Sequence, residues 1–222
     1  MAHQPGELEW ADGRVPVSPR FDDPYFSLVD GLAETAHVFL NGNDLPARFG
    51  PGFSIGELGF GTGLNMLATW ASWERSGQTT QLQYTSFEAQ PMAMADMAKA
   101  LKAFPSLARQ STCFLNQWQG CGRCDLGTIL VNVITGDARQ TLPLWQDKAD
   151  AWYLDGFSPA KNPELWGQVL MAEVAGHTRP GGTAATYTAA GHVRRGLESA
   201  GFSVRRTKGF GRKRHMTRAV LV

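Results

Sequence analysis

The stretch that decides the fold reads Phe53-Ser54-Ile55-Gly56-Glu57-Leu58-Gly59-Phe60-Gly61-Thr62-Gly63-Leu64-Asn65. An apolar run ends in an acid and is followed by three glycines at alternate positions. This pattern predicts a buried strand that breaks into a turn, where the backbone approaches a ligand closely. A helix is expected to follow from about Asn65 to Trp73.

The glycine spacing restricts the ligand. A dinucleotide-binding turn needs G-x-G-x-x-G, and its third glycine, counted from Gly59, would fall on Leu64. A Walker loop is excluded because no Gly-Lys-Ser/Thr follows. The pattern favours the first turn of a methyltransferase that uses S-adenosylmethionine (AdoMet), with Glu57 placed to hold the methionine ammonium directly or through water. A tight strand-to-helix connection without a ligand is the alternative.

Length and composition fit one domain over 1–222, with an N-terminal extension at 1–45 and an AdoMet-binding core at 50–222. The opening residues Met1–Glu7 lack the basic start and the apolar stretch of a signal peptide, and no apolar run reaches the length of a membrane span. We therefore expect a cytoplasmic enzyme without a membrane partner. The three cysteines, an odd number, argue against a disulfide framework.

Strand-like and helix-like segments alternate after Phe53, which predicts a Rossmann-like α/β fold with a largely parallel sheet. Seven strands are expected, the first before the glycine turn and the others at 81–87, 128–134, 149–154, 183–188, 202–207 and 217–222. Helices are expected at 65–73, 91–104, 163–178 and 191–200, and 28–40 is expected to form a helix and a short extension. Asp12-Gly13 predicts a small hairpin in the N-terminal extension.

Each of the first four strands ends at or beside a carboxylate. These acids are Glu57, Glu88, Asp137 and Asp155. Because open α/β sheets bind ligands at the carboxyl ends of their strands, the four acids are expected to converge on one crevice. Glu88 is placed to accept from ribose hydroxyls, and Asp137 from the adenine amine beside the backbone of Ala138. Each acid taken singly has an alternative role as a helix cap or turn residue.

The segment Asp155-Gly156-Phe157-Ser158-Pro159 follows the fourth strand and is expected beside the sulfonium of AdoMet. Methyl transfer mainly requires alignment of the two reacting centres. A carboxylate there can accept a hydrogen bond from an attacking amine and take up its proton, so Asp155 suggests an amine substrate. Phe157 is placed to pack against a planar substrate or the methyl donor. An Asp-Gly turn closed by Ser-Pro is the alternative.

Two further features concern partners. Residues 203–222 contain seven Lys or Arg residues and no Asp or Glu, against a formal net charge of +1 for the whole chain. Such a cluster predicts binding to a nucleic acid, or else a charged edge strand that discourages association between sheets. The pair Cys121 and Cys124 has no fourth zinc ligand nearby, so no metal is expected and the pair is placed in a loop between strands.

Four segments together resemble the methyltransferase domain of the MnmC family of tRNA-modifying enzymes. They are Glu57–Asn65, Asp150–Pro163, Gly191–Leu197 and Lys208–Arg214, and Phe26-Ser27 and Glu34–Leu40 also match. The resemblance implies N-methylation of the aminomethyl group of 5-aminomethyl-(2-thio)uridine at the tRNA wobble position. In bifunctional members a flavin oxidase domain follows. Here an oxidase or other upstream tRNA-modifying enzymes would act in trans, or the chain is a fragment.

The resemblance and the residue patterns together give the expected site. The cofactor-binding residues would be Glu57, Gly59, Phe60, Gly61, Thr62, Gly63, Asn65, Glu88, Asp137, Ala138, Asp155 and Phe157. The residues that bind tRNA would be Phe157, Lys161, Arg194, Arg195, Lys208, Arg212, Lys213 and Arg214. Asp155 would be the catalytic residue. The alternatives are an AdoMet-dependent methyltransferase acting on a small-molecule amine and a catalytically silent nucleic-acid-binding module.

Overall fold

The computed structural model describes residues 8–222, so the expectation for Met1–Glu7 lies outside the described residues. The strands are β1 (Glu9–Ala11), β2 (Val15–Ser18), β3 (Asp23–Pro24), β4 (Ser54–Leu58), β5 (Leu82–Glu88), β6 (Gly122–Asp125), β7 (Ile129–Thr135), β8 (Ala149–Leu154), β9 (Thr178–Thr186), β10 (Phe202–Lys208) and β11 (His215–Leu221). The α-helices are α1 (Gly31–Thr35), α2 (Leu64–Arg75), α3 (Met94–Leu101), α4 (Ala108–Gln117), α5 (Ala138–Thr141), α6 (Gln168–Gly176) and α7 (Gly191–Ser199).

The N-terminal extension forms a small sheet of its own. Asp12 and Gly13 both have positive φ, 49° and 68°, and they turn β1 back onto β2. This confirms the predicted hairpin, since Asp and Gly tolerate left-handed backbone in such a turn. The short strand β3 pairs antiparallel with β2 and completes the three-stranded sheet.

The main sheet has the order β10-β11-β9-β8-β4-β5-β7-β6. Its five central strands, β9, β8, β4, β5 and β7, are parallel, and β11, β10 and β6 are antiparallel to their neighbours. All five residues of β4 are buried, as expected for a strand covered on both faces. The predicted Rossmann-like α/β class is confirmed.

The predicted number of seven strands is wrong, because the main sheet contains an eighth. Gly122–Asp125, which holds Cys124 and was expected in a loop, forms the edge strand β6 and pairs antiparallel with β7. Only Cys124 is buried in this strand. The segment joins the sheet through its backbone rather than through an apolar face, so its side chains carried no strand pattern.

The largest differences from the predicted boundaries concern three segments. The expected helix at 28–40 is the short α1 followed by one π-helical segment, Ala36–Leu40. The expected helix at 163–178 begins with a 3-10 turn, Pro163–Trp166, before α6. The residues Arg179–Gly182 do not end that helix in a loop, because β9 already starts at Thr178 and bulges against β8.

Helices cover both faces of the main sheet and bury large aromatic side chains there. Trp70 and Trp73 of α2 belong to the core on one face, whereas Trp152 and Trp166 belong to the core on the other. Gly56 of β4 lies directly against the Trp152 ring of β8, because a Cβ on Gly56 would lie 2.7 Å from that ring. A side chain at position 56 would displace the Trp152 ring, so only glycine permits this contact.

Candidate active site

The four strand-end carboxylates lie along one edge of the main sheet. The strands that carry them, β8, β4, β5 and β7, are consecutive neighbours. Backbone hydrogen bonds continue past the strand ends: Gly59 N donates to Phe87 O at 2.9 Å, and Asp155 N donates to Leu58 O at 3.1 Å. Glu57, Glu88, Asp137 and Asp155 are therefore brought to the same edge, as their placement at strand ends predicts.

The glycine turn between β4 and α2 requires glycine at each of its three alternate positions. Gly59, Gly61 and Gly63 have φ values of 86°, 53° and 77°, a region that other residues rarely occupy. A Cβ on Gly59 would lie 3.1 Å from the backbone oxygen of Asp155, and one on Gly61 would lie 3.2 Å from the Tyr25 ring. The turn is therefore a closely packed cradle whose backbone can approach a ligand.

Asn65, in the first turn of α2, connects two of the four acids. Its Nδ2 donates to Glu57 Oε1 at 3.1 Å and to Asp155 Oδ2 at 2.7 Å. Its Oδ1 accepts from the Thr35 hydroxyl at 2.7 Å. Asn65 was expected to bind the cofactor. In this structure its side-chain amide instead donates to the two carboxyl groups and orients them.

Glu57 is fully buried, with no exposed surface. Burial raises the pKa of its carboxyl to about 8, and nearby Ser86 and Asn65 oppose the shift. Within residues 8–222, its Oε2 has no hydrogen-bond partner. Glu57 is thus mainly protonated at neutral pH in this state, whereas the sequence suggested a carboxylate that holds the methionine ammonium.

Asp155 has the properties of a base that works near neutral pH. Its Oδ1 accepts from Gly156 N at 2.8 Å, and its Oδ2 accepts from Asn65. Burial raises the pKa of this carboxyl to about 6, while the two hydrogen bonds hold it down. A group with such a pKa is largely ionised at pH 7 and can still take up a proton.

Glu88 and Asp137 are held by local donors. Glu88 Oε2 accepts from Gly61 N at 3.0 Å and Oε1 accepts from Gln90 N at 2.8 Å, so the acid is fastened to the glycine turn. Asp137 caps α5 and pairs with Arg139, which lowers the pKa of the aspartate. Because each carboxylate oxygen has a second lone pair, both acids can still accept from a ligand.

The residues at this edge fit AdoMet. Gly59, Gly61 and Gly63 carry the turn in left-handed backbone without side chains, and Glu88, which accepts from Gly61 N, keeps acceptor lone pairs beside it. Glu88 would accept from the ribose hydroxyls and Asp137 from the adenine amine.

The N-terminal extension covers the Asp155 loop, a contact that sequence reasoning missed. The Phe157 ring stacks on Phe21, with ring centroids 4.6 Å apart, and meets the edge of Tyr25 at 5.1 Å. Asp23 Oδ2 accepts from Ser158 N at 2.8 Å. Burial, aided by the charge of nearby Glu88, raises the pKa of Tyr25 to about 12. Phe157, expected to face a planar substrate or the methyl donor, is thus packed against the extension.

Tyr187, at the end of β9, is another missed residue. Its hydroxyl donates to the Gly156 carbonyl at 2.8 Å, and Trp166 Nε1 donates to the Phe157 carbonyl at 3.0 Å. These bonds fix the backbone of the loop that carries Asp155. No periodicity or motif in the sequence singled out either side chain.

The side chains of the remaining predicted cofactor residues are buried. The Phe60 ring packs in the core against Phe114 and Trp118, with centroids 6.0 and 5.7 Å away. Thr62 and Ala138 are both buried. Phe60, Thr62 and Ala138 are therefore placed to offer backbone groups to a ligand, not exposed side chains.

The predicted tRNA-binding residues fall into two groups. Arg195, Lys208, Arg212 and Arg214 are exposed, and Arg194 is partly buried. Lys161 and Lys213 are engaged with acids: Lys161 Nζ pairs with Asp22, and Lys213 Nζ with Glu34 at 2.8 Å. The last two lysines thus tie their loops to the N-terminal extension in this structure.

Residues 8–222 show neither a metal-binding cluster nor a membrane-spanning helix. No group of three or more His, Cys, Asp or Glu side chains is arranged to hold a metal ion. No helix in that part of the chain has the length and apolar character needed to cross a membrane.

Known proteins resemble the chain throughout its length. The tRNA 5-methylaminomethyl-2-thiouridine biosynthesis bifunctional protein MnmC of Stutzerimonas stutzeri is 43% identical over 232 residues, which cover 99% of this chain and 35% of that protein. MnmC of Aeromonas hydrophila is 47% identical over 94% of this chain and 34% of its own length. The chain spans about one third of the length of these curated relatives.

Two solved structures share the fold of this chain. MnmC2 from Aquifex aeolicus superposes with a TM-score of 0.75 at 25% identity, over 97% of this chain and 70% of that one. A precorrin-6y C5,15-methyltransferase from Geobacter metallireducens, with a TM-score of 0.50 at 10% identity over 86% of each chain, shares the fold alone. The sequence model of one family, described as S-adenosyl-L-methionine-dependent methyltransferase, matches residues 94–222, more than half of the chain. With this match beside the glycine cradle and its acids, the chain belongs to that family of S-adenosyl-L-methionine-dependent methyltransferases.

Proposed function

We propose that the protein methylates the aminomethyl nitrogen of 5-aminomethyl-(2-thio)uridine at the wobble position of tRNA, giving 5-methylaminomethyl-(2-thio)uridine. The observation that carries this proposal is the likeness to MnmC proteins, which extends over 94 to 99% of the chain at 43 to 47% identity. The site supports it independently, because Asp155 suits an amine acceptor.

Asp155 is the proposed catalytic residue. When bound, AdoMet supplies an electrophilic methyl group on a sulfonium. The carboxylate of Asp155 accepts a proton from the substrate ammonium and leaves a neutral amine with a lone pair. Asn65 and Gly156 N hold the two carboxylate oxygens, so that the base keeps one orientation. The Phe21 and Tyr25 rings pack against Phe157 and cover part of the loop, which reduces its contact with water.

Glu88 and the glycine turn are proposed to bind the cofactor. Gly61 N already fastens Glu88 in place at 3.0 Å, so the ribose would meet an acid that needs no rearrangement. The α2 N-terminus lies at the same turn, since Gly63 directly precedes the helix.

Strands β10 and β11 and their connecting loop form a hairpin rich in Lys and Arg, which we call the basic hairpin. Its exposed Lys and Arg side chains are proposed to contact the RNA backbone. Lys208, Arg212 and Arg214 are exposed members of the seven Lys and Arg residues in 203–222, a segment without any acid. Lys213 tethers this loop to α1, beside the Asp155 loop. Phosphates bound there would lie next to the acceptor site, with Lys161, Arg194 and Arg195 as further proposed contacts.

The proposal implies enzymes that act before this one. The substrate amine must be made by an oxidase or by other tRNA-modifying enzymes, which we propose act in trans on cytoplasmic tRNA. Residues 1–222 would serve as one catalytic unit in this scheme.

The direct test is methyl transfer from labelled AdoMet to tRNA that carries 5-aminomethyluridine, followed by nucleoside analysis. We expect label in 5-methylaminomethyluridine alone. The free nucleoside serves as the comparison: equal kcat/KM on nucleoside and tRNA would favour a methyltransferase for small-molecule amines. If AdoMet binds and no methyl reaches the tRNA, the substrate assignment is wrong and the cofactor assignment stands.

A further inference from the structure

The ammonium of Lys213 lies in an enclosure of a kind that binds alkylammonium ligands. Its Nζ is 2.8 Å from Glu34 Oε1 and 4.1 Å from the centroid of the Tyr187 ring. A carboxylate and an aromatic face together are how proteins recognise such cations. Glu34 belongs to α1 and Tyr187 follows β9, so two separate segments form the enclosure, and Lys213 enters it from the loop between β10 and β11.

The enclosure borders the Asp155 loop. The hydroxyl of Tyr187 donates to the carbonyl of Gly156 at 2.8 Å, which places the ring beside the catalytic residue. The charges of Glu34 and Lys213 both act on Asp155: Glu34 raises its pKa and Lys213 lowers it. A cation held at this position is therefore electrostatically coupled to the base.

The two walls are better fixed than the lysine. The side chain of Glu34 is 15% exposed, whereas that of Lys213 is 47% exposed. Lys213 enters from an exposed hairpin loop on a flexible four-carbon stem. The acid and the ring are both partly buried, and the exposed lysine reaches them from the solvent side.

We propose that Glu34 and Tyr187 form the subsite for the acceptor amine and that Lys213 occupies this subsite until the substrate ammonium displaces it. This inference rests on the proposed function, in which the acceptor is an aminomethyl group. The displaced lysine then points from the basic hairpin toward solvent, where an RNA phosphate can take the place of Glu34 as its partner.

The chemistry balances for an ammonium that arrives in this subsite. Asp155 takes one proton from the ammonium and leaves a neutral amine. The nitrogen lone pair forms the N–C bond to the donor methyl as the C–S bond breaks, and the electrons of that bond remain on sulfur. The product is a protonated secondary amine, and the proton on Asp155 passes to solvent.

The test measures amine recognition by binding, without turnover. Dissociation constants are determined for an anticodon stem-loop with 5-aminomethyluridine and for the same stem-loop with unmodified uridine, both with S-adenosylhomocysteine present. The ratio of the two constants reports the amine contact and cancels the phosphate contacts. We expect wild-type protein to prefer the amine on the order of tenfold, the size of a desolvated cation–aromatic contact.

Four variants test which side chains set the ratio of the two dissociation constants. Glu34→Gln and Tyr187→Leu should bring it to about one, and Tyr187→Phe, which keeps the aromatic face, should preserve most of it. Lys213→Met removes the internal competitor and should raise it. The matched control is Asp44→Asn, since Asp44 pairs with Arg218 of the same hairpin at 2.5 Å without an aromatic face; its ratio should equal wild type.

The outcomes separate this inference from the proposed function. If wild-type protein methylates the aminomethyl RNA but Glu34→Gln keeps its preference, the subsite is refuted and the function stands. If Lys213→Met loses the preference, the lysine is a structural tether and the subsite is likewise refuted. If wild-type protein neither methylates nor prefers the aminomethyl RNA, the proposed function itself fails.

Discussion

Asn65 holds Asp155 through a 2.7 Å hydrogen bond from its side-chain amide, across 90 positions of sequence. The same amide reaches Glu57, and Thr35 fixes the amide oxygen, so the carboxylate of Asp155 has one preferred orientation. The hydrogen bond also lowers the pKa of Asp155 against the effect of burial. Asn65 therefore sets both the direction and the basicity of the proposed catalytic group.

Replacing Asn65 with Ala should slow catalysis by changing this base. A hydrogen bond to a charged group is worth about 1.5 kcal/mol, which corresponds to about tenfold in rate. We expect kcat to fall by that amount at neutral pH and the acid limb of the pH–rate profile to move to higher pH. Thr35→Val, which removes only the bond to Asn65 Oδ1, should give a smaller shift in the same direction. An unmoved acid limb in both variants would mean that Asn65 is purely structural.

Asp155→Asn should abolish turnover while AdoMet binding persists. The amide cannot take up the substrate proton, and general-base catalysis is worth about 100-fold or more. In wild-type protein, kcat should decline as the pH falls through about 6, because Asp155 becomes protonated there. Calorimetric titration with AdoMet checks that the site is intact. Wild-type turnover in the variant would remove Asp155 from the mechanism.

Gly61→Ala tests the cradle against a matched glycine. Gly61 and Gly52 both have left-handed φ values, 53° and 70°, so Ala at either position should cost roughly 1–2 kcal/mol of stability. A Cβ on Gly61 would crowd Tyr25 at 3.2 Å, whereas one on Gly52 meets nothing within 4 Å. We expect AdoMet affinity to fall roughly tenfold, or about 1.4 kcal/mol, only in Gly61→Ala. Equal affinities in the two variants would argue against the cradle.

The sequence was most informative where chemistry follows from strand order. Apolar runs ended at Glu57, Glu88 and Asp155, and the rule that parallel strands end at one edge was enough to bring these acids together. The ion pair between Asp137 and Arg139 could also be predicted from the sequence, since only two positions separate the residues.

Contacts between segments that lie far apart in the chain had no comparable signal in the sequence. The extension reaches the site through Phe21 and Tyr25, although it precedes the core and shows no periodicity that points to it. Glu34, Tyr187 and Lys213 lie far apart in the sequence and meet only in the folded protein. Side-chain chemistry of this kind depends on tertiary packing, which local pattern does not contain.

Glu57→Gln should change how stability depends on pH. Burial raises the pKa of Glu57 from its ordinary value of 4.5 to about 8. Between those values the unfolded chain ionises this group while the folded protein keeps it protonated, so wild-type protein loses stability as pH rises. The loss approaches about 1.4 kcal/mol per pH unit, and the glutamine variant lacks it. Thermal unfolding of both proteins across this range should show the variant gaining on wild type; parallel curves would show that Glu57 is ionised when buried.

The basic hairpin should reveal itself in the salt dependence of tRNA binding. Each phosphate contact contributes about one ion to the slope of log affinity against log salt concentration. Arg212→Ala and Arg214→Ala should each reduce that slope by roughly one and weaken binding uniformly across tRNA sequences. Arg75→Ala is the matched control, because Arg75 is exposed at the end of α2, at the opposite edge of the sheet from the glycine turn. Fluorescence anisotropy with tRNA at several salt concentrations gives the three slopes. If all three variants match wild type, the hairpin charge serves to protect the sheet edge and RNA binds elsewhere.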